Sequence, residues 1–424
     1  MIELDIVSMH EDGYGLSVDG KHAVYGSLPG ESVMAKPFAR KRKILFSRVE
    51  SISQPSEFRV EPECSAAGYC GGCSYQHVSH DCQISFKQDQ LRREFEPCPP
   101  ENWLEPLSGD SFHYRSKARL GVKFVDKKGR VLVGFREKKK PYIAEIDHCH
   151  VLREPVSTML QPLSRMIEKL SIVRSVPQIE VAIGDTETAL VFRHLEEFNV
   201  EDEKLLRNFG EDEGIQIYLQ PGNPESTFKF YPEKGLDRLH YSLPEYGLNF
   251  SFHPLDFTQV NPVINRKMVD QALYLLELNE TDCVLDAFCG IGNFSLAMAR
   301  TAKCVFGLEN SKTSIQRARE NARANGITNS QFEVVDLFVE LNQLPGNNIV
   351  NKVLVDPPRT GALELCEKLA TTDIERVVYV SCNPKTLARD AQILVRGGLQ
   401  LKQLGIIDMF PHTTHVESIA LFTR

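Results

Sequence analysis

The 424-residue sequence has no unbroken apolar run near the roughly 18 residues that a membrane-spanning helix needs, so it does not predict a membrane protein. Its first residues, MIELDIVSMHEDG, carry acids where a secretory signal would have a basic region followed by an apolar stretch. We therefore expect a cytoplasmic protein. Hydrophobic residues make up 42% of the chain, and this length predicts two or three domains, each with its own core.

The sequence also lacks an overall positive charge. A net charge of -8 argues against a chain that is basic throughout, as a simple nucleic-acid coat would be. One segment differs, because residues 32–49 contain six cations and no acid: Lys36, Arg40, Lys41, Arg42, Lys43 and Arg48. Residues 1–52 alternate short apolar runs with glycine turns, which predicts a small β-barrel. The charge run alone fits a solvated strand as well as phosphate contact, and the barrel favours phosphate contact.

Eleven cysteines, an odd number, predict a reducing compartment in which thiols pack, bind metal or react rather than pair. One group is a candidate metal centre: Cys64, Cys70, Cys73 and, as the fourth ligand, Cys149. Cys82 and Cys98 are alternatives to Cys149. Thiolate ligands suit zinc or an iron-sulfur cluster. Only one Cys-x-x-Cys pair is present, whereas compact zinc sites more often have two, so we favour a 4Fe-4S cluster.

A strand with three cations stands out in the central region, which otherwise shows mixed α and β patterns. In HYRSKARLG, alternation places Arg115, Lys117 and Arg119 on one face of a strand. Such a face could bind phosphates, and a solvent-exposed strand is the alternative.

Residues 250–424 alternate strand and helix patterns, which predicts a doubly wound parallel sheet with its ligand at the carboxyl ends of the strands. The segment DAFCGIGNF follows a strand and opens a helix, and Glu309 ends the next strand, at a spacing that suits a ribose. Ser295 replaces the third glycine of a dinucleotide fingerprint. Since S-adenosylmethionine has no phosphate, it needs only the turn and the acid, and we favour it over NAD. A turn that merely connects strand and helix is the alternative.

Three residues near later strand ends suggest methyl-transfer chemistry. Asp356 precedes two prolines, and Arg359 follows them instead of the aromatic residue or cysteine that other base methylases carry there. Cys382 follows the next strand, where the helix starting at Pro384 would favour its thiolate. Carbon 5 of uracil accepts a methyl group once sulfur adds at carbon 6, and a base must then remove the proton at carbon 5. We assign Glu417 as that base, with two histidines as rivals, His412 and His415.

Together these motifs resemble those of the RNA 5-methyluridine methyltransferases, especially the branch that modifies 23S ribosomal RNA. Residues 1–52 resemble its TRAM barrel, the four cysteines match its 4Fe-4S ligands, and the catalytic motifs follow in order: FTQVN, DAFCGIGNF, GLEN, DPPRTG, SCNP and HTTHVES. The resemblance implies a multidomain α/β protein. Its parts would be an RNA-binding barrel (1–52), a central α+β domain with the iron-sulfur site and RNA-contacting strands (53–249), and a Rossmann-like S-adenosylmethionine-dependent methyltransferase domain (250–424).

Carried over by position, the resemblance assigns further residues. The methyl-donor and substrate pocket would be lined by Gln259, Phe288, Asn293, Glu309, Asp336 and Asp356. It also implies that Cys382 is the nucleophile and Glu417 the base. The expected cofactors are S-adenosyl-L-methionine and a 4Fe-4S cluster, and the expected form is a monomer that acts on structured RNA. The bacterial tRNA member of the family lacks barrel and cluster, which favours 23S ribosomal RNA, although an archaeal tRNA member keeps both and leaves tRNA open.

Two other functions fit parts of the pattern. A non-catalytic RNA-binding or assembly factor would keep the fold and the cysteines, but it would have no need for both Cys382 and Glu417. An NAD-dependent enzyme is disfavoured by Ser295.

Overall fold

A computed structural model describes residues 1–235, 237–339 and 349–424. The chain begins with a closed five-stranded barrel in which the order is β1-β2-β3-β5-β4. Its strands are β1 (Ile2–Met9), β2 (Gly15–Ser17), β3 (His22–Tyr25), β4 (Ser32–Lys41) and β5 (Ile44–Gln54). Alternate side chains such as Val33 and Ala35 fill the interior. The predicted N-terminal barrel is confirmed, and most of its basic run lies exposed on β4 and the turn after it.

A six-stranded sheet forms the middle of the molecule, in the order β12-β11-β10-β9-β7-β8. It is preceded by helix α1 (His80–Glu94) and the short strand β6 (Asn102–Trp103). The sheet comprises β7 (Lys117–Val125), β8 (Arg130–Gly134), β9 (Gln178–Ile183), β10 (Thr188–Arg193), β11 (Gln216–Gln220) and β12 (Phe228–Tyr231). Two helices accompany it, α2 (Val156–Ile167) and α3 (Val200–Asp212), and α3 begins at a capping box formed by Asn199 and Asp202. A separate hairpin pairs β13 (Leu239–Leu243) with β14 (Leu248–Phe252).

The C-terminal part contains an eight-stranded sheet, in the order β17-β16-β15-β18-β19-β21-β20-β6. Its strands are β15 (Cys283–Ala287), β16 (Cys304–Glu309), β17 (Ser330–Val334), β18 (Lys352–Val355), β19 (Arg376–Ser381), β20 (Gln400–Ile407), β21 (Glu417–Thr423) and the earlier β6. The helices are α4 (Pro262–Leu276), α5 (Ser295–Met298), α6 (Lys312–Ala324), α7 (Leu363–Ala370) and α8 (Pro384–Arg396). Neighbours from β17 to β19 run parallel, and β21 runs antiparallel to β19 and β20. The predicted Rossmann-like sheet is confirmed.

The strands at the centre of this sheet are buried on both faces, as their continuous apolar runs require. All of β15 and β18 is buried, with one face in a core shared with α4 and the other in a core shared with α7 and α8. Helix α1 and strand β6, which precede the central sheet in sequence, also pack on this C-terminal sheet. None of the helices in the described part of the chain is long and apolar enough to cross a membrane.

Two cysteines form a disulfide that the sequence analysis does not predict. Cys283 and Cys304 stand opposite each other at the starts of β15 and β16 and are bonded. The expectation that no thiol pairs is therefore wrong for these two, because the parallel register of the strands places them side by side. The nine other cysteines are free.

Candidate active site

The residues with expected catalytic roles meet at one edge of the C-terminal sheet. Asp356 directly follows β18 and Cys382 directly follows β19, and both strands end at the carboxyl edge. Glu417 is the first residue of β21, which runs in the opposite direction, so it starts at this same edge. Ser381 of β19 pairs with Ser418 of β21. Cys382 and Glu417 are the residues next to this pair on the side of the carboxyl edge, so they are neighbours. Strand direction alone therefore brings thiol and carboxyl groups together.

Glu417 lies in a site that favours its neutral form. The residue is buried, and the pKa of its carboxyl is raised to about 8. Burial is the main cause, repulsion from the nearby Asp356 carboxylate adds to the rise, and Arg359 offsets part of it. A carboxyl group with a pKa near 8 can hold or release a proton at physiological pH, as a general base must.

The Cys382 side chain is half-buried and is predominantly a thiol. Its pKa is raised to about 11, mainly by burial and also by the charges of Glu417 and Asp356, and Arg359 offsets part of this rise. The expectation of a thiolate is therefore wrong for the protein without substrate, because burial and two acids outweigh the lowering effect of Arg359. The thiol needs a proton acceptor before it can attack.

A network behind Cys382 holds the loop that follows β18. The Asn383 amide and the Thr386 hydroxyl, both at the start of α8, donate to the carbonyl of Arg359. Further into the core, Asp390 accepts from the backbone N–H of Ala362 and from the hydroxyl of Tyr379, each at 2.7 Å. The loop carrying Arg359 is thus fixed to the helix that begins beside the thiol.

The rival bases occupy less suitable positions. His412 is buried against Phe112, with its Nδ1 atom 3.2 Å from the Gln83 amide nitrogen, and burial lowers its pKa to about 4. His415 faces outward and its ring lies within 2.9 Å of an Arg359 nitrogen. A neutral imidazole with a pKa near 4 is a weak base, whereas the Glu417 carboxylate is matched to neutral pH.

The glycine turn after β15 forms an open, strained backbone. Phe288 has φ of 67°, and Gly290 and Gly292 have φ of 54° and 93°, in the left-handed region that glycine tolerates best. A side chain added at Gly290 would meet no atom within 4 Å, so there is open space beside this turn. Asp286, just before it, is buried and accepts a hydrogen bond from the Ser295 hydroxyl. Its other carboxylate oxygen has no partner among the described residues.

The donor-pocket residues expected from the resemblance lie on loops around this turn. Glu309 ends β16 and accepts from the Ser311 N–H at 2.8 Å, and Asp336 is exposed after β17, where it accepts from the Phe338 N–H. The Phe338 ring also packs against Phe288 at 5.5 Å.

Asn293 and Gln259 lie on the other side, near the start of α4. The amide of Asn293 exchanges two hydrogen bonds with Asn265 and accepts a third from the Tyr241 hydroxyl. Gln259 lines a small cavity together with Asn265 and Tyr241. Asn265 was absent from the sequence prediction, and so was Asp286, although its place at a strand end could have suggested it.

The four predicted metal ligands lie at one apolar cluster, with three of them buried and Cys64 half-buried. Cys64, Cys70, Cys73 and Cys149 belong to the same apolar cluster. The pKa of Cys70 is raised to about 11 and that of Cys73 to about 12, mainly by burial and in part by the nearby Cys149. Cys82 instead packs in a separate cluster under the barrel. In the described part of the chain, no three His, Cys, Asp or Glu side chains are placed to hold a metal ion.

The surroundings of these thiols suit an anionic group. The Gln76 amide donates to the Cys73 sulfur at 3.3 Å, and the Gly72 N–H donates to the Cys70 sulfur at 3.5 Å. Burial lowers the pKa of the Lys138 ammonium, and negative charge on Cys70, Cys73 and Cys64 would raise it. Hydrogen-bond donors and this half-buried cation would therefore stabilise negative charge on sulfur.

The cationic strand predicted as a phosphate-binding face serves mainly internal contacts. Lys117 donates to the carbonyls of Pro254 and Asp256, and burial lowers its pKa to about 8. Arg115 donates to the Lys117 carbonyl, and Arg119 forms an ion pair with Glu180. Lys117 therefore fastens the loop that leads to Gln259.

Comparison with known proteins gives consistent results. A family model described as tRNA (Uracil-5-)-methyltransferase matches residues 79–424. The chain is 45% identical to a protein of Legionella pneumophila named 23S rRNA (uracil(1939)-C(5))-methyltransferase RlmD, over 99% of this chain and 96% of that protein. A protein of the same name from Alkalilimnicola ehrlichii is 46% identical, over 100% of this chain and 96% of its own length.

A solved structure covers the whole molecule. It is the crystal structure of Pyrococcus abyssi tRNA (uracil-54, C5)-methyltransferase in complex with S-adenosyl-L-homocysteine. The similarity covers 100% of both chains, with 25% identity and a TM-score of 0.76.

Proposed function

This chain belongs to the tRNA (uracil-5-)-methyltransferase family, and from that premise we propose that it methylates carbon 5 of a uridine in 23S ribosomal RNA. S-adenosylmethionine would supply the methyl group. The observation that carries the proposal is the meeting of Cys382 and Glu417 at the ends of adjacent antiparallel strands, beside Asp356. A nucleophile paired with a base is what uracil requires at this carbon.

The proposed reaction begins when the uridine is turned out of its stack into the site. The Cys382 thiol gives up its proton to water as its sulfur adds to carbon 6 of the ring, and the ring electrons shift to make carbon 5 nucleophilic. Carbon 5 would take the methyl group from the sulfonium of S-adenosylmethionine, which would leave as S-adenosylhomocysteine, and Glu417 then takes the remaining proton from carbon 5. The bond between sulfur and carbon 6 then breaks, and the thiolate and the 5-methyluracil ring are restored. Arg359 lowers the pKa of both groups and so favours their reactive anions.

The glycine turn supports the choice of methyl donor. The space beside its strained backbone leaves room for a ligand. Glu309, at the end of the next strand, could accept hydrogen bonds from the two hydroxyls of a ribose. The free oxygen of Asp286 is a buried acceptor still in need of a donor. We propose that Gln259, Phe288, Asn293, Glu309, Asp336 and Asp356 line the donor and substrate pocket.

A mechanism-based trap tests the nucleophile. RNA containing 5-fluorouridine should form a covalent complex with the protein, because fluorine cannot be removed from carbon 5 as a proton can. Cys382→Ala should form none, and Cys98→Ala, which removes a half-buried thiol elsewhere, should behave like the unaltered protein. An adduct in Cys382→Ala would show that the nucleophile is wrongly assigned.

The base has a separate test on ordinary RNA. For Glu417→Gln we expect a methylated covalent adduct that persists, because the proton at carbon 5 has no acceptor. Glu280→Gln, an exposed glutamate before β15, serves as the control. Release of 5-methyluridine at the normal rate from Glu417→Gln would contradict the assignment. A pure RNA-binding factor would release no tritium from RNA labelled at carbon 5, so that assay separates enzyme from assembly factor.

The identity of the RNA rests on the relatives. Those named above at 45–46% identity act, by name, on 23S ribosomal RNA, whereas the more distant Pyrococcus abyssi protein acts on tRNA. Mapping of 5-methyluridine in ribosomal and transfer RNA from a deletion strain decides between them. Loss of the modification from tRNA alone would reject the ribosomal assignment.

We further propose that Cys64, Cys70, Cys73 and Cys149 hold a 4Fe-4S cluster. A four-iron cluster is larger than a single ion, so its ligands stand further apart than those of one metal ion. The buried thiols, the Gln76 and Gly72 donors and the Lys138 cation suit such a group. Protein purified without oxygen should be brown, with about four iron atoms per chain, and Cys149→Ser should lose them. Colourless protein with one zinc would refute the proposal.

A further inference from the structure

A cleft of about 850 Å³ lies between the barrel and the β8 edge of the central sheet. One wall is the β7–β8 hairpin, with Val122, Lys123 and Leu132. The opposite side comprises Arg48 from the barrel and the segment 136–145 that follows β8. We call it the junction cleft. Its size is that of a ligand site, and none of its lining residues belongs to the C-terminal sheet, so it is separate from the active site.

The junction cleft is positively charged on a chain with a net negative charge. Five cations and two acids line it: Arg48, Lys123, Lys128, Arg136 and Lys140, with Glu137 and Glu145. Both acids are already paired, Glu145 with Lys128 and Glu137 with Lys140. Among the described residues, Lys123 and Arg136 form no salt bridge, and both are exposed. These two cations thus have no acid partner for their charge, although the Arg136 guanidinium donates to the Pro141 carbonyl at 2.9 Å.

The cleft also presents an aromatic ring and an apolar wall. Tyr142 lines it and is 63% exposed, so its ring is accessible to a ligand in the cleft. Val122, Leu132 and Ile143 form an apolar surface in the same cleft. A flat ring, an apolar wall and free cations together are the features with which proteins hold unpaired nucleotides, through base stacking and phosphate contact.

The cleft is held open by fixed contacts. Three successive lysines, Lys138, Lys139 and Lys140, lie over barrel aromatic rings at 5.6–5.7 Å. On the inner side, the Tyr69 hydroxyl donates to the carbonyl of Glu145. Cation–π contacts of this kind contribute to docking the segment 136–145 on the barrel. The cleft is therefore already formed in the protein without a ligand.

We propose that the junction cleft binds an unpaired nucleotide of the RNA substrate at a point remote from the methylated uridine. The base stacks on Tyr142, and Lys123 and Arg136 contact the adjoining phosphates. The inference rests on the proposed function, from which RNA is taken as the substrate. It adds a second contact point, which would orient a folded RNA before the uridine enters the active site.

Binding of a fluorescent, unmodified 23S ribosomal RNA fragment to the full-length protein tests this inference. Tyr142→Ala should weaken binding by about 5- to 150-fold, and Tyr142→Phe, which keeps the ring, should bind like the unaltered protein. The control Tyr274→Ala removes another exposed aromatic side chain, on α4, and should have no effect. Lys123→Ala combined with Arg136→Ala should lower the slope of log affinity against log salt by about 2, whereas the exposed Lys169→Ala should leave it unchanged.

Methyl transfer measured on the same variants separates the two hypotheses. At saturating RNA, Tyr142→Ala should keep its kcat while its KM rises with the loss of affinity. Equal binding by Tyr142→Ala and Tyr274→Ala, or equal weakening in both, would overturn the cleft proposal while leaving the methylation proposal intact. An unaltered protein that binds RNA through Tyr142 and transfers no methyl group would refute the proposed function instead.

Discussion

Replacing Glu417 with glutamine should reveal the electrostatic coupling between the proposed base, Glu417, and the proposed nucleophile, Cys382. Since the Cys382 pKa is about 11, about one thiol in a hundred is ionised at pH 9, and alkylation is correspondingly slow. The Glu417 carboxylate contributes to that high value, and with a pKa of about 8 it is charged at pH 9 and neutral at pH 6. Glu417→Gln should therefore alkylate faster at pH 9, by about tenfold for a one-unit shift of the thiol pKa, and no faster at pH 6.

The assay is iodoacetamide labelling without RNA or methyl donor, followed by mass spectrometry of the peptide containing Cys382. The ratio of the variant rate to the unaltered rate should rise from about 1 to about 10, with its midpoint near pH 8. The Cys98 peptide in the same samples should keep a constant ratio. A Cys382 ratio that is flat across this pH range would show that the carboxyl and the thiol are not coupled.

Three further predictions concern the free energy of unfolding, measured with urea. Lys87→Met should lower it by about 3–5 kcal/mol, because the buried Asp408 carboxylate loses the Lys87 ammonium that lies 2.6 Å away. The control Lys169→Met, at an exposed position, should leave it almost unchanged. Tyr379→Phe should lower the free energy of unfolding by about 1–3 kcal/mol, because it removes a hydrogen-bond donor to the buried Asp390. The control is Tyr274→Phe, and equal free energies of unfolding in the two variants would contradict the prediction. The raised Glu417 pKa means that the folded protein binds this proton more tightly than the unfolded chain does. The unaltered protein therefore loses stability as pH rises from about 4.5 through about 8. Over that window the free energy of unfolding of Glu417→Gln should rise relative to that of the unaltered protein, by up to about 4–5 kcal/mol. A difference between the two proteins that does not change with pH would refute this prediction.

The sequence was most informative where one strand or turn carries its own signal. The apolar runs VLVDPP and VVYVSC are buried strands as predicted, and a parallel sheet places the residues that follow them, Asp356 and Cys382, at one edge. The glycine spacing likewise predicted the turn at residues 288–292, whose positive φ angles the structure displays. Local pattern and strand direction were sufficient for these features.

Prediction failed where several segments act on one group. The position of Cys382 before α8 suggested a thiolate, but burial and the charge of Glu417, which lies 35 positions later, decide its pKa. Lys117 looked like a surface cation because its strand alternates, and its partners Pro254 and Asp256 are far along the chain. The hydrophobic periodicity of a segment and the spacing of its motifs do not predict contacts between residues that are far apart in the chain.

The position of β21 has a consequence for how the enzyme is made. In the sheet β21 lies between β19 and β20, yet it follows both in the chain. During synthesis β20 and β6 therefore have no neighbour that joins them to the rest of the sheet until residues 417–423 have been added. The two halves of the sheet close around this last strand, and the same insertion delivers Glu417 to Cys382. A nascent chain that has not reached β21 carries Cys382 without Glu417, so the two proposed catalytic residues meet only when this strand completes the sheet.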